Sequence, residues 1–192
     1  MSSDKHRCGL PPDQQRYLLQ LARLSIDQGL KQGQPVAVEL SALPYPLQEQ
    51  RATFVTLKKR GQLRGCIGRL QASRPLAEDV AANAFSAAFQ DPRFAPVTAD
   101  EVEQLEIHLS LLTPPEPLAC ASEVDLLAQL RPGEDGVILE EGSLRGTFLP
   151  SVWEELEDPI EFLAHLKRKA GLPSHYWSAT LKIYRYRTEV ID

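Results

Sequence analysis

The chain has 192 residues, 43% of them apolar and 24% charged, with a net charge of -5. Such a length suits one compact domain or two lobes sharing a core, and an acidic balance without a basic stripe argues against nucleic acid as the main partner. No stretch approaches the ~18 consecutive apolar residues of a membrane span, and the polar start, Met1 to Gly9, has the pattern of neither a signal peptide nor an anchor. Residues 1–11 read as a flexible tail. Cys8, Cys66 and Cys120 are far apart, odd in number and lack Cys-x-x-Cys spacing. They point to free thiols in a reducing cytoplasm rather than to a metal site, and the scattered His6, His108, His165 and His175 add no ligand set.

A helix is expected from Pro12-Asp13 to about Lys31, with Leu18, Leu21, Ala22, Ser25, Ile26 and Gly29 on one stripe and Gly33 as its stop. Residues 34–50 carry Pro35, Pro44 and Pro46 and read as an irregular connection with a short strand at Val36–Leu40. Thr53–Lys58, the turn Arg60-Gly61-Gln62 and Leu63–Ile67 form a β-hairpin. Pro75 opens a helix with Glu78 and Asp79 in its first turn, an alanine stripe at 77, 81, 84 and 88, and an end at Asp91-Pro92. Thr98-Ala99-Asp100-Glu101 has the capping-box pattern. Leu105–Leu111 alternates cleanly, as a half-buried strand does.

Beyond Pro114-Pro115, Ser122 and Asp125 cap a short helix, and Asp135-Gly136 precedes a strand at Val137–Leu139. Gly142-Ser143 turns the chain into Leu144–Leu149. Ser151-x-x-Glu154 caps a short helix, Asp158-Pro159 a longer one that stops at Gly171, and Leu181–Arg187 is the last strand. Gly61-Gln62-Leu63-Arg64-Gly65 aligns with Gly142-Ser143-Leu144-Arg145-Gly146. Each copy follows a strand and precedes a Pro-initiated helix and a further strand. The order predicts an internal duplication, about 53–111 and 136–187, with Arg145 the counterpart of Arg64.

The chemistry concentrates in Leu63-Arg64-Gly65-Cys66-Ile67-Gly68. In a regular strand Arg64 and Cys66 share one face, and Leu63 and Ile67 point to the core. A cation beside a thiol favours the thiolate, which makes Cys66 a candidate nucleophile. The alternative is a small half-buried cysteine filling space under a helix. Gly65 and Gly68 either expose amides to an anion or permit close backbone approach. Asp91-Pro92-Arg93-Phe94 is either a helix-terminating turn with an ion pair or a wall presenting Arg93 to an anion. His108 is a weaker candidate base, since no spacing ties it to Cys66.

These segments, with Phe54–Lys59, Ala87–Phe94, Leu112–Glu116, Phe148–Glu154 and Lys169-Ala170-Gly171-Leu172-Pro173, resemble the AMMECR domain family. Its bacterial and archaeal members are called AmmeMemoRadiSam system protein A. The resemblance covers about residues 12 to 190. It implies an α+β fold of two β-rich repeats with flanking helices, forming one two-lobed domain over residues 12–192. It also implies a cleft near Arg-Gly-Cys-Ile-Gly, and association with a Memo-like protein and a radical S-adenosylmethionine enzyme. It implies no settled activity and names no cofactor. The family often has Gln where Ser151 stands and an acidic residue or valine around His108, so it does not support a shared thiol–histidine pair. Two functions follow as expectations. One is an enzyme, or an enzyme-system subunit, that uses Cys66 with Arg64, Gly65, Gly68 and Arg93 on a small anionic substrate or modified partner. The other is a non-catalytic ligand- or protein-binding scaffold.

Overall fold

Proline in the first turn and a left-handed glycine after the last frame helix α1, Pro12–Gln32, in the computed structural model, which describes residues 9–192. His6 and Cys8 lie outside the described residues. Gly33 adopts φ 69° and returns its N–H to the Gly29 carbonyl, the expected stop. The buried stripe is the one read from the spacing: Leu18, Leu21, Ala22, Ser25, Ile26 and Gly29. Of the expected tail, Leu10 is already in the core at 8% exposure.

No strand forms at Val36–Leu40. The Val36 N–H instead reaches Ser25 Oγ at 3.2 Å, and the Pro35 carbonyl accepts from Gln28 at 2.9 Å. The segment is therefore tied to α1 rather than to a sheet, and continues as a 3₁₀ turn, Leu40–Ala42, and the short helix α2, Tyr45–Gln48.

Strands β1, Thr53–Lys59, and β2, Gln62–Gly68, make the expected hairpin. Arg60 and Gly61 both take positive φ, 53° and 76°, as a tight turn that matches strand twist requires. Helix α3, Leu76–Phe89, follows. Glu101 accepts from the Thr98 backbone N–H and hydroxyl, which is only the reaching-back half of the expected capping box: the Glu101 N–H goes to the Thr98 carbonyl rather than to its hydroxyl, and the 3₁₀ turn that follows, Val102–Gln104, has no side-chain cap. Strand β3, Leu105–Leu112, buries Leu105, Ile107, Leu109 and Leu111. The last strand, β8, Thr188–Ile191, was not read from the sequence. It completes a sheet ordered β2-β1-β3-β8. This sheet with α1 and α3 belongs to one compact unit, residues up to Leu112 plus Glu189–Asp192.

Thr113–Thr188 form the second unit. Its elements are β4, Glu116–Pro117; α4, Glu123–Gln129; β5, Gly136–Glu141; β6, Leu144–Phe148; α5, Pro159–Lys169; and β7, Lys182–Tyr186. Ser122 and Asp158 cap their helices through Asp125 N and Ile160 N. Ser151 does not act as a cap, because the chain already turns into a 3₁₀ helix at Pro150. The sheet order is β4-β7-β5-β6. Phe162, Leu163 and Leu166 of α5 pack on Val137, Leu139 and Ile183, and the Trp153 ring stacks on Phe162 at 3.7 Å. The fold is thus α+β, with five α-helices and two four-stranded antiparallel sheets among the described residues. Each sheet holds a hairpin, then a helix, then a strand beside the hairpin's first strand. Arg64 and Arg145 both sit in the hairpin's second strand.

Candidate functional site

The hairpin positions the candidate site through a break in its own register. Leu57 pairs with Gly65, and the next residue, Lys58, pairs with Leu63. Arg64 has no partner and bulges. A one-residue bulge reverses the faces on its far side. Leu63 is consequently 44% exposed, not turned to the core as regular alternation predicts, whereas Ile67 does pack against the core.

The bulge sends the Arg64 guanidinium to Glu101. Nε and Nη2 donate to the two carboxylate oxygens at 3.1 and 2.9 Å, and Lys59 adds a third contact at 2.9 Å. Hydrogen bonds from Arg64 first, then Lys59, hold the Glu101 carboxyl well below the usual carboxylate range. The same carboxylate accepts the Thr98 N–H and hydroxyl, so Glu101 ties the loop before β3 to the hairpin.

Asp91 and Arg93 do the corresponding work on the other edge of β2. Asp91 Oδ2 accepts the Cys66 N–H at 2.9 Å, and Arg93 Nη2 donates to the Cys66 carbonyl at 3.2 Å. Arg93 also binds Asp91 through Nε at 3.0 Å and Nη2 at 2.7 Å. An edge strand presents unpaired backbone groups, and this turn satisfies both groups of Cys66 as a neighbouring strand would. The Asp91 side chain is buried, and the Arg93 hydrogen bond is the main reason its carboxyl stays far below its ordinary range. The Arg93 side chain remains 54% exposed, with its guanidinium 5.5 Å from the Phe94 ring centroid.

The two glycines are explained by contact. A Cβ on Gly65 would lie 2.1 Å from the Ala87 carbonyl oxygen of α3, and one on Gly68 would lie 2.3 Å from the Phe54 ring. Cys66 is half-buried. Its thiol meets Thr56 Oγ1 at 3.2 Å, and Thr56 is directly opposite both Cys66 and His108 in the sheet. Cys66, Thr56 and His108 thus stand in one row across three strands. His108 Nδ1 is 3.8 Å from an Asp192 carboxylate oxygen. The structure brings Cys66 and Arg93 into one clamp, and gives Arg64 and Arg145 separate carboxylate partners, Glu101 and Glu140. Among the described residues no three His, Cys, Asp or Glu side chains gather as a metal requires, and no helix is long and apolar enough to cross a membrane.

Two buried polar groups were not recognised from the sequence. Asp79, read as a first-turn carboxylate, is wholly enclosed and accepts from the Thr53 backbone and hydroxyl and from Asn83, joining α3 to β1. Burial pushes its pKa up. Lys167 is fully buried on α5, with Nζ 2.9 Å from Glu123 but off the line a hydrogen bond needs, and 5.9 Å from the Trp177 ring. The spacing of Asp79 and Asn83, one helical turn apart, was the available clue to the first. Lys167 had none.

The sequence pattern of the AMMECR1 family matches residues 19–191. A protein of Methanothermobacter thermautotrophicus is 38% identical over 183 residues, covering 94% of this chain and 95% of its own length. A protein of Thermotoga maritima is 42% identical over 151 residues, covering 77% and 82%. The crystal structure of an uncharacterized protein from Pyrococcus horikoshii has a TM-score of 0.81 at 35% identity, covering 94% of this chain and 92% of that one. Two antiparallel sheets, the Arg-Gly-Cys-Ile-Gly hairpin and similarity along nearly the whole length converge on one conclusion: the chain belongs to the AMMECR1 family.

Proposed function

We propose that the protein acts through Cys66 on a small anionic substrate or a modified partner, as an enzyme or as a subunit of an enzyme system. One observation carries this reading. The strand that bears the thiol is clamped by Arg93, whose guanidinium binds the Cys66 carbonyl and yet stays more than half exposed. A cation held next to a thiol can both favour thiolate and receive an anion. Within this reading Arg93 is the anion contact. Arg64, engaged with Glu101, acts by fixing the hairpin, Gly65 lets the hairpin approach α3, and Gly68 leaves room for the ring of its cross-strand partner Phe54.

The second reading, a non-catalytic ligand- or protein-binding scaffold, is supported by the engagement of both arginines in internal ion pairs. A thermal-shift screen of carboxylates and phosphates, with and without a Memo-like protein and a radical S-adenosylmethionine enzyme, finds the ligand or partner. Cys66→Ser then separates the readings. Intact folding and binding with lost function supports chemistry at the thiol, and retained function supports the scaffold. The free thiols suit a reducing, cytoplasmic setting. The matching order of hairpin, helix and strand in the two sheets supports an ancestral duplication over about 53–111 and 136–187.

A further inference from the structure

Leu105 through His108, four consecutive residues of β3, all line one pocket of about 420 Å³, together with part of α1 and Asp192. Side chains of a strand alternate between its faces. Four in a row share a pocket only when that pocket runs along the strand's edge. The edge concerned is the one that β3 gives to β8, because β1 occupies the other. β3 has 8 residues and β8 only 4. The chain approaches β8 with Thr113 N–H bonded to the Arg187 carbonyl, and leaves it with Asp192 beside His108. The Leu105–Ile107 end of β3 is therefore beyond the reach of β8.

The direction of the backbone groups follows from the ladder. The Leu112 N–H points to the β1 side, where it meets the Ala52 carbonyl. Alternation then turns the groups of Leu105 and Ile107 to the opposite edge. The Leu105 carbonyl does leave the sheet that way, to accept from Arg23 Nη2 at 2.9 Å. Arg23 also binds the Val102 carbonyl at 2.9 Å, so its guanidinium is held at the end of the slot.

We infer that this slot takes an extended segment of a partner protein, which continues the sheet beyond β8 and alternates apolar with basic residues. An uncovered edge offers backbone hydrogen bonds to a strand of any sequence. The alternation comes from the two walls. Residues of such a strand that turn toward α1 meet Leu19, Leu105 and Ile107. Those that turn the other way meet Glu106, His108 and Asp192, with two carboxylates among them. The three described residues beyond β8 span about 10 Å of strand, and the Leu105 carbonyl among them is already taken by Arg23, so the recognised core is short.

The test is fluorescence anisotropy of the full chain with a dye-labelled peptide, Ser-Val-Lys-Val-Lys-Ser. Binding saturates, and exchange of both lysines for glutamate weakens it at least about tenfold. Two further peptides carry N-methyl groups on one or the other alternate set of residues. Only the set whose N–H groups face β3 loses binding. The exposed substitution Glu106→Gln, which keeps the size of the side chain and sets no like charge opposite Lys58, weakens the basic peptide without lowering the melting temperature. The idea is overturned by any of three results: no saturation at millimolar peptide, equal effects of the two N-methyl patterns, or self-association of the chain that occupies the edge instead.

Discussion

Across the first hairpin Leu57 faces Gly65, and on its other side it faces Ile107; across the second, Leu139 faces Gly146 and Ile183. At that register the two sheets are built alike. They part company one residue nearer the turn, where Arg64 bulges but Arg145 pairs directly with Glu140 and reaches its carboxylate at 3.1 Å. They differ again one residue farther from it. The row Cys66–Thr56–His108 has Thr147–Ile138–Tyr184 as its counterpart. The glycine beside each arginine is common to both sheets, and in each it lies against a helix backbone, Ala87 or Ala170. It therefore belongs to the scaffold. The thiol, the bulge and the Asp91–Arg93 clamp belong to the first unit alone.

The largest expected effect tests the shared scaffold. Gly65→Ala drives a methyl into the Ala87 carbonyl, which is backbone and has little room to move. It should cost about 3 kcal/mol, the upper part of the usual overpacking range. Gly146→Ala meets Ala170 at 2.8–2.9 Å and should cost about 2 kcal/mol. Trp153 and Trp177 both lie in the second unit. Their fluorescence therefore reports Gly146→Ala, while hydrogen exchange of α3 reports Gly65→Ala. A Gly65→Ala protein with unaltered α3 protection would break the equivalence.

Asp91→Ala tests what is peculiar to the first unit. It leaves the Cys66 N–H without its acceptor and Arg93 without its carboxylate. A loss of about 2 kcal/mol is expected, in the range for hydrogen bonds to a charged group, with exchange rising in β2 and the tryptophan signal unchanged. Loss confined to the second unit would refute the clamp.

Acid sharpens the same contrast. Asp91, through Arg93, and Glu101, through Arg64, are both held below their ordinary pKa. In the interval between the lowered folded value and the ordinary one, the unfolded chain binds more protons. Stability therefore falls as pH drops below about 5. Asp79 works in the opposite sense, because its folded pKa is raised. In the second unit Glu141 is lowered chiefly by Thr180. Asp100, lowered chiefly by Thr98, adds to Asp91 and Glu101 in the first unit, so α3 and β2 protection should fade before tryptophan fluorescence changes in a titration from pH 7 downward. The reverse order would show that these pairs do not govern acid stability.

The parts legible in the sequence were those set by local pattern. The α1 stripe, the Arg60-Gly61 turn and the alternation of β3 each follow from spacing within one segment. The bulge was invisible because it depends on a mismatch between two strands. Its consequences were hidden with it: Leu63 turned outward and Arg64 was carried to Glu101, a residue whose reach back to Thr98 was itself readable. The Asp91–Arg93 ion pair was foreseen as one of two alternatives, but not its attachment to the backbone of Cys66. β4 and β8 were missed because they are short strands defined by their neighbours, and the apparent strand at Val36–Leu40 was lost to bonds with α1.

The smallest effect concerns the thiols. Burial, and then Asp125, push the Cys120 thiol up, so less of it is thiolate near neutral pH. Cys66 instead has its own backbone carbonyl held by the Arg93 guanidinium at 3.2 Å. Both cysteines are half-buried, so the comparison is of charge environment more than of access. In a Cys8→Ser background, native Cys66 should be alkylated by iodoacetamide several-fold faster than Cys120, because only the thiolate reacts. Arg93→Gln should narrow that gap. Thr147→Cys, at the matching register of the second hairpin, supplies a thiol on the same scaffold without the clamp, and it should react more slowly than Cys66. Equal rates at positions 66 and 147 would mean that the strand position alone sets reactivity and that the Asp91–Arg93 turn only protects an edge.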